Sequence, residues 1–257
     1  KVYSFELGYG YRSHYFTANV NAYYTMWKDK ALYDSGSYTD EAGTSQRWTM
    51  NMTGAQANHM GVELDFIVKP FRWMEVNGMF SWGDWRWNGT ATGFMMNNEG
   101  QIIKSTQGGI LTDMSQADQY KYRIKMDEVH VGGSAQTTAA LGLTLRPMKG
   151  LRLGVDWNFF DRNYADYDID ASNAQQDTPY SVSDPWKIPS WSTFDVHAGY
   201  TFDFGKIRAT LSGNVNNLFN QEYIADARDG SNHDWETATR VIYGWGRTYS
   251  VKLKFNF

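Results

Sequence analysis

The chain contains no cysteine, so it can form neither a disulfide framework nor a thiolate metal site, and zinc knuckles and iron–sulfur clusters are excluded. It carries no excess of basic charge: the net charge is −4, the wrong sign for a nucleic-acid module, which should show a basic stripe. No run of about 18 apolar residues is present, so no transmembrane helix is available. The opening Lys-Val-Tyr-Ser-Phe-Glu has neither an apolar signal region nor a cleavage site. Proline is scarce, at 5 of 257 residues. What is abundant is aromatic: 11 Trp, 17 Tyr and 14 Phe accompany 24 Gly, at a mean hydropathy of −0.57. With 42% hydrophobic residues, the chain can bury too much apolar surface to stay disordered. The profile is that of an aromatic-rich β protein.

The hydrophobic period is close to 2 almost throughout. In 16–26, Phe16, Ala18, Val20, Ala22, Tyr24 and Met26 share one face, and Thr17, Asn19, Asn21, Tyr23 and Thr25 the other. In 60–68, Met60, Val62, Leu64, Phe66 and Val68 oppose Glu63 and Asp65. Similar runs lie near 2–9, 73–83, 134–146, 151–161, 192–204, 206–216 and 246–257, about nine strands in all. Globular strands usually run about five or six residues, whereas a tilted membrane strand needs about 9–11. The polar face carries Glu6, Asn21, Glu63, Asp65, Asp156, Asp195, His197, Arg208 and Asn214, which suits a wet lumen. The other face is nearly free of charge, as it must be where Arg or Lys against mid-bilayer lipid costs about 2–4 kcal/mol. The expected fold is therefore an all-β, antiparallel, up-and-down transmembrane barrel. On the same logic Leu143→Arg or Val215→Arg should block folding, with Thr144→Arg and Asn214→Arg far milder.

Short connections fall at 10–14, 69–72, 146–150 and 204–206. Long ones fall near 28–57, 84–132, 162–191 and 217–245. The alternation matches short periplasmic turns and long extracellular loops. Trp27, Trp82, Trp85, Trp87, Trp157, Trp186, Trp191, Trp245 and Tyr249 cluster near the long loops and read as an interfacial girdle. Nine strands is an odd number, with residue 1 at the extracellular end. A bacterial barrel has an even count, and an open edge in lipid is costly. The expectation is that residues 1–257 form the C-terminal segment of a larger barrel, without its N-terminal plug and earlier strands.

Residues 211–224 read Leu-Ser-Gly-Asn-Val-Asn-Asn-Leu-Phe-Asn-Gln-Glu-Tyr-Ile. This resembles the V-x-N-L-F-x-x-x-Y segment of TonB-dependent outer-membrane receptors, here Val215, Asn217, Leu218, Phe219 and Tyr223. The last strand, with Tyr249, Val251, Leu253, Phe255 and Phe257, is similar to the family's final strand, whose terminal Phe the barrel assembly machinery reads. The style suggests the Bacteroidetes branch. The resemblance implies a barrel of about 22 strands in the bacterial outer membrane, active import of a scarce nutrient (siderophore, vitamin, glycan or peptide), and no enzymatic activity. It implies outer-membrane lipid, the protein's own plug, the TonB system reached through it and the assembly machinery as partners, with a surface lipoprotein as a candidate. No cofactor, metal or nucleic acid is expected.

Loops on a rigid scaffold carry binding. Trp85 and Trp87 in loop 84–132, beside Phe94, Met95, Met96 and Tyr120, and Tyr164, Tyr167 and Trp186 in loop 162–191 are candidate ligand contacts. Packing of the first loop on itself is the stronger expectation for its aromatic and Met residues. Asp166, Asp168 and Asp170, with Asp161 and Asp177 nearby, alternate as a Ca²⁺ loop would, but the EF-hand glycine position holds Ala171, so a solvated acidic loop is favoured over cation binding. Glu63, Asp65, Arg152, Asp156, Asp195, His197 and Arg208 are expected to face lumen and plug. An Asp195–His197 pair could serve a barrel hydrolase, and a passive porin or scaffold component is the other alternative. The asparagine segment favours the receptor over both.

Overall fold

The computed structural model describes residues 1–167 and 180–256. Asp168, Asp170, Asp177 and Phe257 lie outside the described residues. Nine long strands form one antiparallel meander. They are β1 (Val2–Arg12), β2 (Phe16–Thr39), β3 (Ser45–Phe71), β4 (Met74–Asn88), β5 (Ala135–Leu145), β6 (Leu151–Tyr164), β7 (Trp191–Phe204), β8 (Ile207–Asn216) and β9 (Thr248–Asn256). Each pairs with its sequence neighbours, while β1 and β9 do not pair with each other, so the sheet is not closed. The first strand is full length at 11 residues, ending at Arg12 rather than near residue 9.

Because directly opposed residues in an antiparallel ladder share a face, the register fixes the sidedness of the sheet. One row runs Phe16–Val68–Val76–Leu143–Val155–Val196–Val215–Tyr249 across eight strands. A second row on the same face, Tyr9–Val20–Leu64–Phe80–Ala139–Phe159, is equally apolar. The opposite face carries rows such as Arg12–Thr17–Ile67–Asn77–Gly142–Asp156–Asp195. The apolar rows are exposed in large part: Phe5 is 70% and Leu7 69% accessible. A continuous apolar surface of that extent is covered by another phase or partner in a working protein, and lipid is what a barrel's outer face meets.

The connections confirm the alternation with one correction. Residues 13–15, 72–73, 146–150 and 205–206 are tight turns at one end of the sheet. At the other end, residues 28–57 do not form a loop. β2 and β3 continue as a hairpin as far as Thr39↔Ser45, and only 40–44 turn. The register shifts between Trp27, Lys30 and Leu32 mark where the hairpin leaves the wall, with Asp29 at φ 55° and Gly54 at φ 98°. The extension is held by a core of its own. Trp48, Met50 and Met52 pack with Trp87, Ala91, Met95, Ile103, Tyr122, Ile124, Met126 and Val129, largely from the long connection between β4 and β5. Fully burying each large side chain contributes about 1.5–3 kcal/mol. Methionine suits such a core because its unbranched chain fills irregular gaps.

Thr144 departs from the simple two-face picture. It lies on the polar face, opposite Glu75 and Gly154, yet is only 5% exposed. An arginine there would meet neighbouring side chains rather than water.

Candidate functional site: the polar wall and its rim

The seven charged positions read from the sequence share one face. Glu63 opposes Asn21 and Ser81; Asp65 opposes Asn19 and Met79; Arg152 opposes Gly199; Arg208 opposes Asp203 and Asn256. Their partners differ. The Asn19 amide donates to Asp65 at 2.8 Å. Arg208 Nε donates to Asp203 at 2.8 Å. His197 Nδ1 lies 3.3 Å from Asp156 Oδ2, so the histidine pairs across strands with Asp156. Asp195 instead accepts from the Asn217 backbone N–H at 2.7 Å and the Asn158 amide at 3.3 Å. The Asp195–His197 pairing that a hydrolase reading calls for does not form. The side chains of Glu6, Glu63 and Arg152 make no hydrogen bond or ion pair among the described residues.

Asn217, the motif asparagine, is 4% exposed and sits at φ 50°. Its amide nitrogen donates to the carbonyls of Gln221 (2.8 Å) and Trp245 (3.1 Å), and its Oδ1 accepts from the Gln221 N–H (2.8 Å). Asn tolerates the left-handed backbone better than most residues, so one side chain ties the end of β8 to both ends of the 217–247 connection. Tyr223 of the same motif stacks on Trp191 at 3.9 Å, and Trp191 on Phe160 at 4.1 Å.

The five candidate ligand contacts do not converge. Trp85 lies on the polar face, its indole N–H donating to Tyr23 Oη at 2.9 Å and its ring stacked on His59 at 5.3 Å. Trp87 is 9% exposed within the hairpin core. Tyr164 is 8% exposed and stacks on His130 at 4.1 Å. Tyr167 packs against the hairpin core, and Trp186 against a second small cluster of Ala165, Ile188 and Ala227. Met95 is buried and Phe94 half-buried, so the long connection after β4 mainly packs on itself.

The tryptophans also divide by face. Trp82, Trp157 and Tyr249 are in register with the apolar rows, as a girdle requires. Trp27, Trp85 and Trp191 are in register with the polar rows, where their rings face the interior. Strand parity carried that distinction; composition could not.

Asp161 is paired with Lys187 at 3.0 Å. Asp166 is tied through its backbone to Ala227 and Asp229. At the hairpin tip Asp40 accepts backbone N–H bonds from Thr44 (2.8 Å) and Ala42 (3.0 Å) and one from the Gln46 amide (3.1 Å). These bonds, the Thr44 one foremost, hold its carboxyl below the usual range.

A sheet with one lipid-type face, one charged face, tight turns at one end and elaborated loops at the other is the wall of an outer-membrane β-barrel. The family model described as TonB dependent receptor-like, beta-barrel, matches residues 1–218, and the chain belongs to that family. It is thus an outer-membrane protein. No curated protein matches the sequence. Among solved structures it is similar to a copper transporter, OprC, at 16% identity and a TM-score of 0.60, covering 100% of this chain and 31% of that one. The siderophore receptor PiuA from Acinetobacter baumannii aligns at 13% identity and a TM-score of 0.44, over 97% of this chain and 35% of that one. The chain therefore spans about a third of the length of these receptors.

Proposed function

We propose that residues 1–257 are the C-terminal part of the barrel of a receptor that imports a scarce nutrient across the outer membrane at the expense of inner-membrane energy. The observation that carries this reading is the two-faced wall: a continuous apolar exterior backed by a charged, polar interior. A lumen lined with Glu63, Arg152, Asp156 and Arg208 is suited to hold a movable polar plug, because ion pairs in a wet lumen are individually weak and can be exchanged. The plug in turn would connect to the TonB system. Tyr249, Val251, Leu253 and Phe255 alternate outward on the edge strand β9 and would serve the assembly machinery; all four are more than half exposed. The ligand class within siderophore, vitamin, glycan or peptide is left to experiment.

The test is uptake by cells carrying the full-length parent receptor and by a deletion strain, with radiolabelled ferrichrome, cobalamin, maltoheptaose and a peptide pool as probes. Receptor-dependent uptake of one probe that stops on adding a protonophore supports the reading. Receptor-dependent uptake that the protonophore leaves unchanged would make the barrel a passive pore.

A further inference from the structure

On the polar face of β1–β4, below the mouth, lies a recess of about 440 Å³. Its floor and side are rings: Tyr23, Trp27, His59 and Trp85. The Trp85–Tyr23 hydrogen bond of 2.9 Å and the His59–Trp85 stack, 20° between planes, fix three of them as a unit. Two glycines let these rings lie against bare backbone. A Cβ on Gly61 would come within 2.6 Å of Tyr23 Oη, and one on Gly83 within 2.6 Å of Trp85 Nε1. Trp27 stands beside His59 at 6.5 Å and already receives Lys30 Nζ at 5.7 Å from its centroid.

Two carboxylates border the rings. Glu6 and Glu63 both line the recess and are both exposed. Neither is matched by a basic side chain or a hydrogen-bond donor among the described residues, whereas neighbouring Asp65 is held by Asn19. Electron-rich ring faces and uncompensated negative charge attract the same kind of group. A cation over an aromatic face is favoured most when it is weakly hydrated, and an alkylated ammonium or a guanidinium meets that condition. A neutral sugar could stack on the rings but would leave two carboxylates without counter-charge.

We infer that this recess is a binding site for an organic cation, holding the ammonium or guanidinium group of an incoming ligand between the Trp85–Tyr23 ring surface and the carboxylates of Glu6 and Glu63. The inference rests on the import reading, which makes this face the lumen.

The test is equilibrium binding to the purified full-length receptor in detergent, followed by tryptophan emission. The probes are choline and its uncharged isostere 3,3-dimethylbutan-1-ol, with maltoheptaose as the sugar control. Choline should bind saturably, at least about tenfold tighter than the isostere, and Glu63→Gln should weaken it by about tenfold. Glu6→Gln should act in the same direction, with heat-modifiable gel mobility confirming that both variants remain folded. Equal binding of the isostere, a choline affinity unmoved by both substitutions, or no choline binding to the intact receptor each overturns the site. Protonophore-sensitive uptake without choline binding rejects the cation site and keeps the import reading. Choline binding without energised uptake does the reverse.

Discussion

Val20 and Asn21 are adjacent in the middle of the wall portion of β2, and replacing each with arginine separates the two faces at one depth. Val20 lies in an apolar row between Tyr9 and Leu64; Asn21 lies between Gly8 and Glu63. Val20→Arg places a guanidinium against lipid near the middle of the strand's crossing, which costs about 2–4 kcal/mol. Loss of the cross-strand pairs with Tyr9 and Leu64 adds about 0.2–1 kcal/mol each. Asn21→Arg instead places the charge in water opposite the unpaired Glu63, where an exposed ion pair contributes about 0–1 kcal/mol in its favour. The difference of about 2–7 kcal/mol, between 4 and 5 at its centre, corresponds to roughly a 1,000-fold change in the folding equilibrium. The assay is urea unfolding of the full-length receptor from phospholipid vesicles, followed by tryptophan emission and by heat-modifiable mobility. Equal shifts for the two variants, or a larger loss for Asn21→Arg, would refute the assignment of faces.

Asn217→Ala should remove three side-chain hydrogen bonds and force alanine into the left-handed region, at about 1–3 kcal/mol for the groups left unpaired and about 1–2 kcal/mol for the backbone. Asn217→Gly should recover the backbone part alone. Proteolysis of the 217–247 connection should be fastest in the alanine variant. At the hairpin tip, Asp40 has a depressed folded-state pKa, so its contribution is present above the ordinary carboxylate pKa and is lost as pH falls through the lower, folded value. The protection of the Ala42 and Thr44 amides, relative to their intrinsic exchange rate at each pH, should therefore be high at neutral pH and fall only in acid below the usual carboxylate range. Asp40→Ala should show low protection at both ends. Gly244→Ala would drive a methyl group into the Tyr223 ring and break the Tyr223–Trp191 stack, an outcome read as a loss of near-ultraviolet circular dichroism.

The nine strands, their faces and the short turns were all legible in the sequence, because a wall between lipid and water imposes its alternation on every residue pair. The hairpin extension was not, although Trp48, Met50 and Met52 alternate with Thr49, Asn51 and Thr53 in the same period. Its apolar side faces a partner 40 to 80 residues further along, so the alternation reads as strand only once that partner is known. The charged interior was likewise legible as a face, but its pairing was not. Sequence proximity suggested Asp195 for His197, whereas the register places Gly154 opposite the histidine and gives it Asp156 instead. Cross-strand geometry, which has no signature in a single chain segment, decided which carboxylate the imidazole meets.

The same geometry explains why glycine stands opposite large rings on a face that water reaches. A strand glycine costs about 0.5–1 kcal/mol relative to alanine, and a wall with exposed backbone would be weak. At Gly154 the His197 ring lies so close that a Cβ would overlap it, and at Gly83 the Trp85 indole does the same. The ring covers the backbone that glycine bares, as aromatic side chains do for strand glycines elsewhere, and in doing so it lies flat along the wall. A flat ring occupies less of the lumen than one standing upright on a Cβ-bearing neighbour. On the lipid face Phe66 covers Gly78 in the same way, while Trp82 and Trp157 extend into a fluid phase. On the polar face two such pairs, Gly61 with Tyr23 and Gly83 with Trp85, stand side by side in the recess bounded by Glu6 and Glu63.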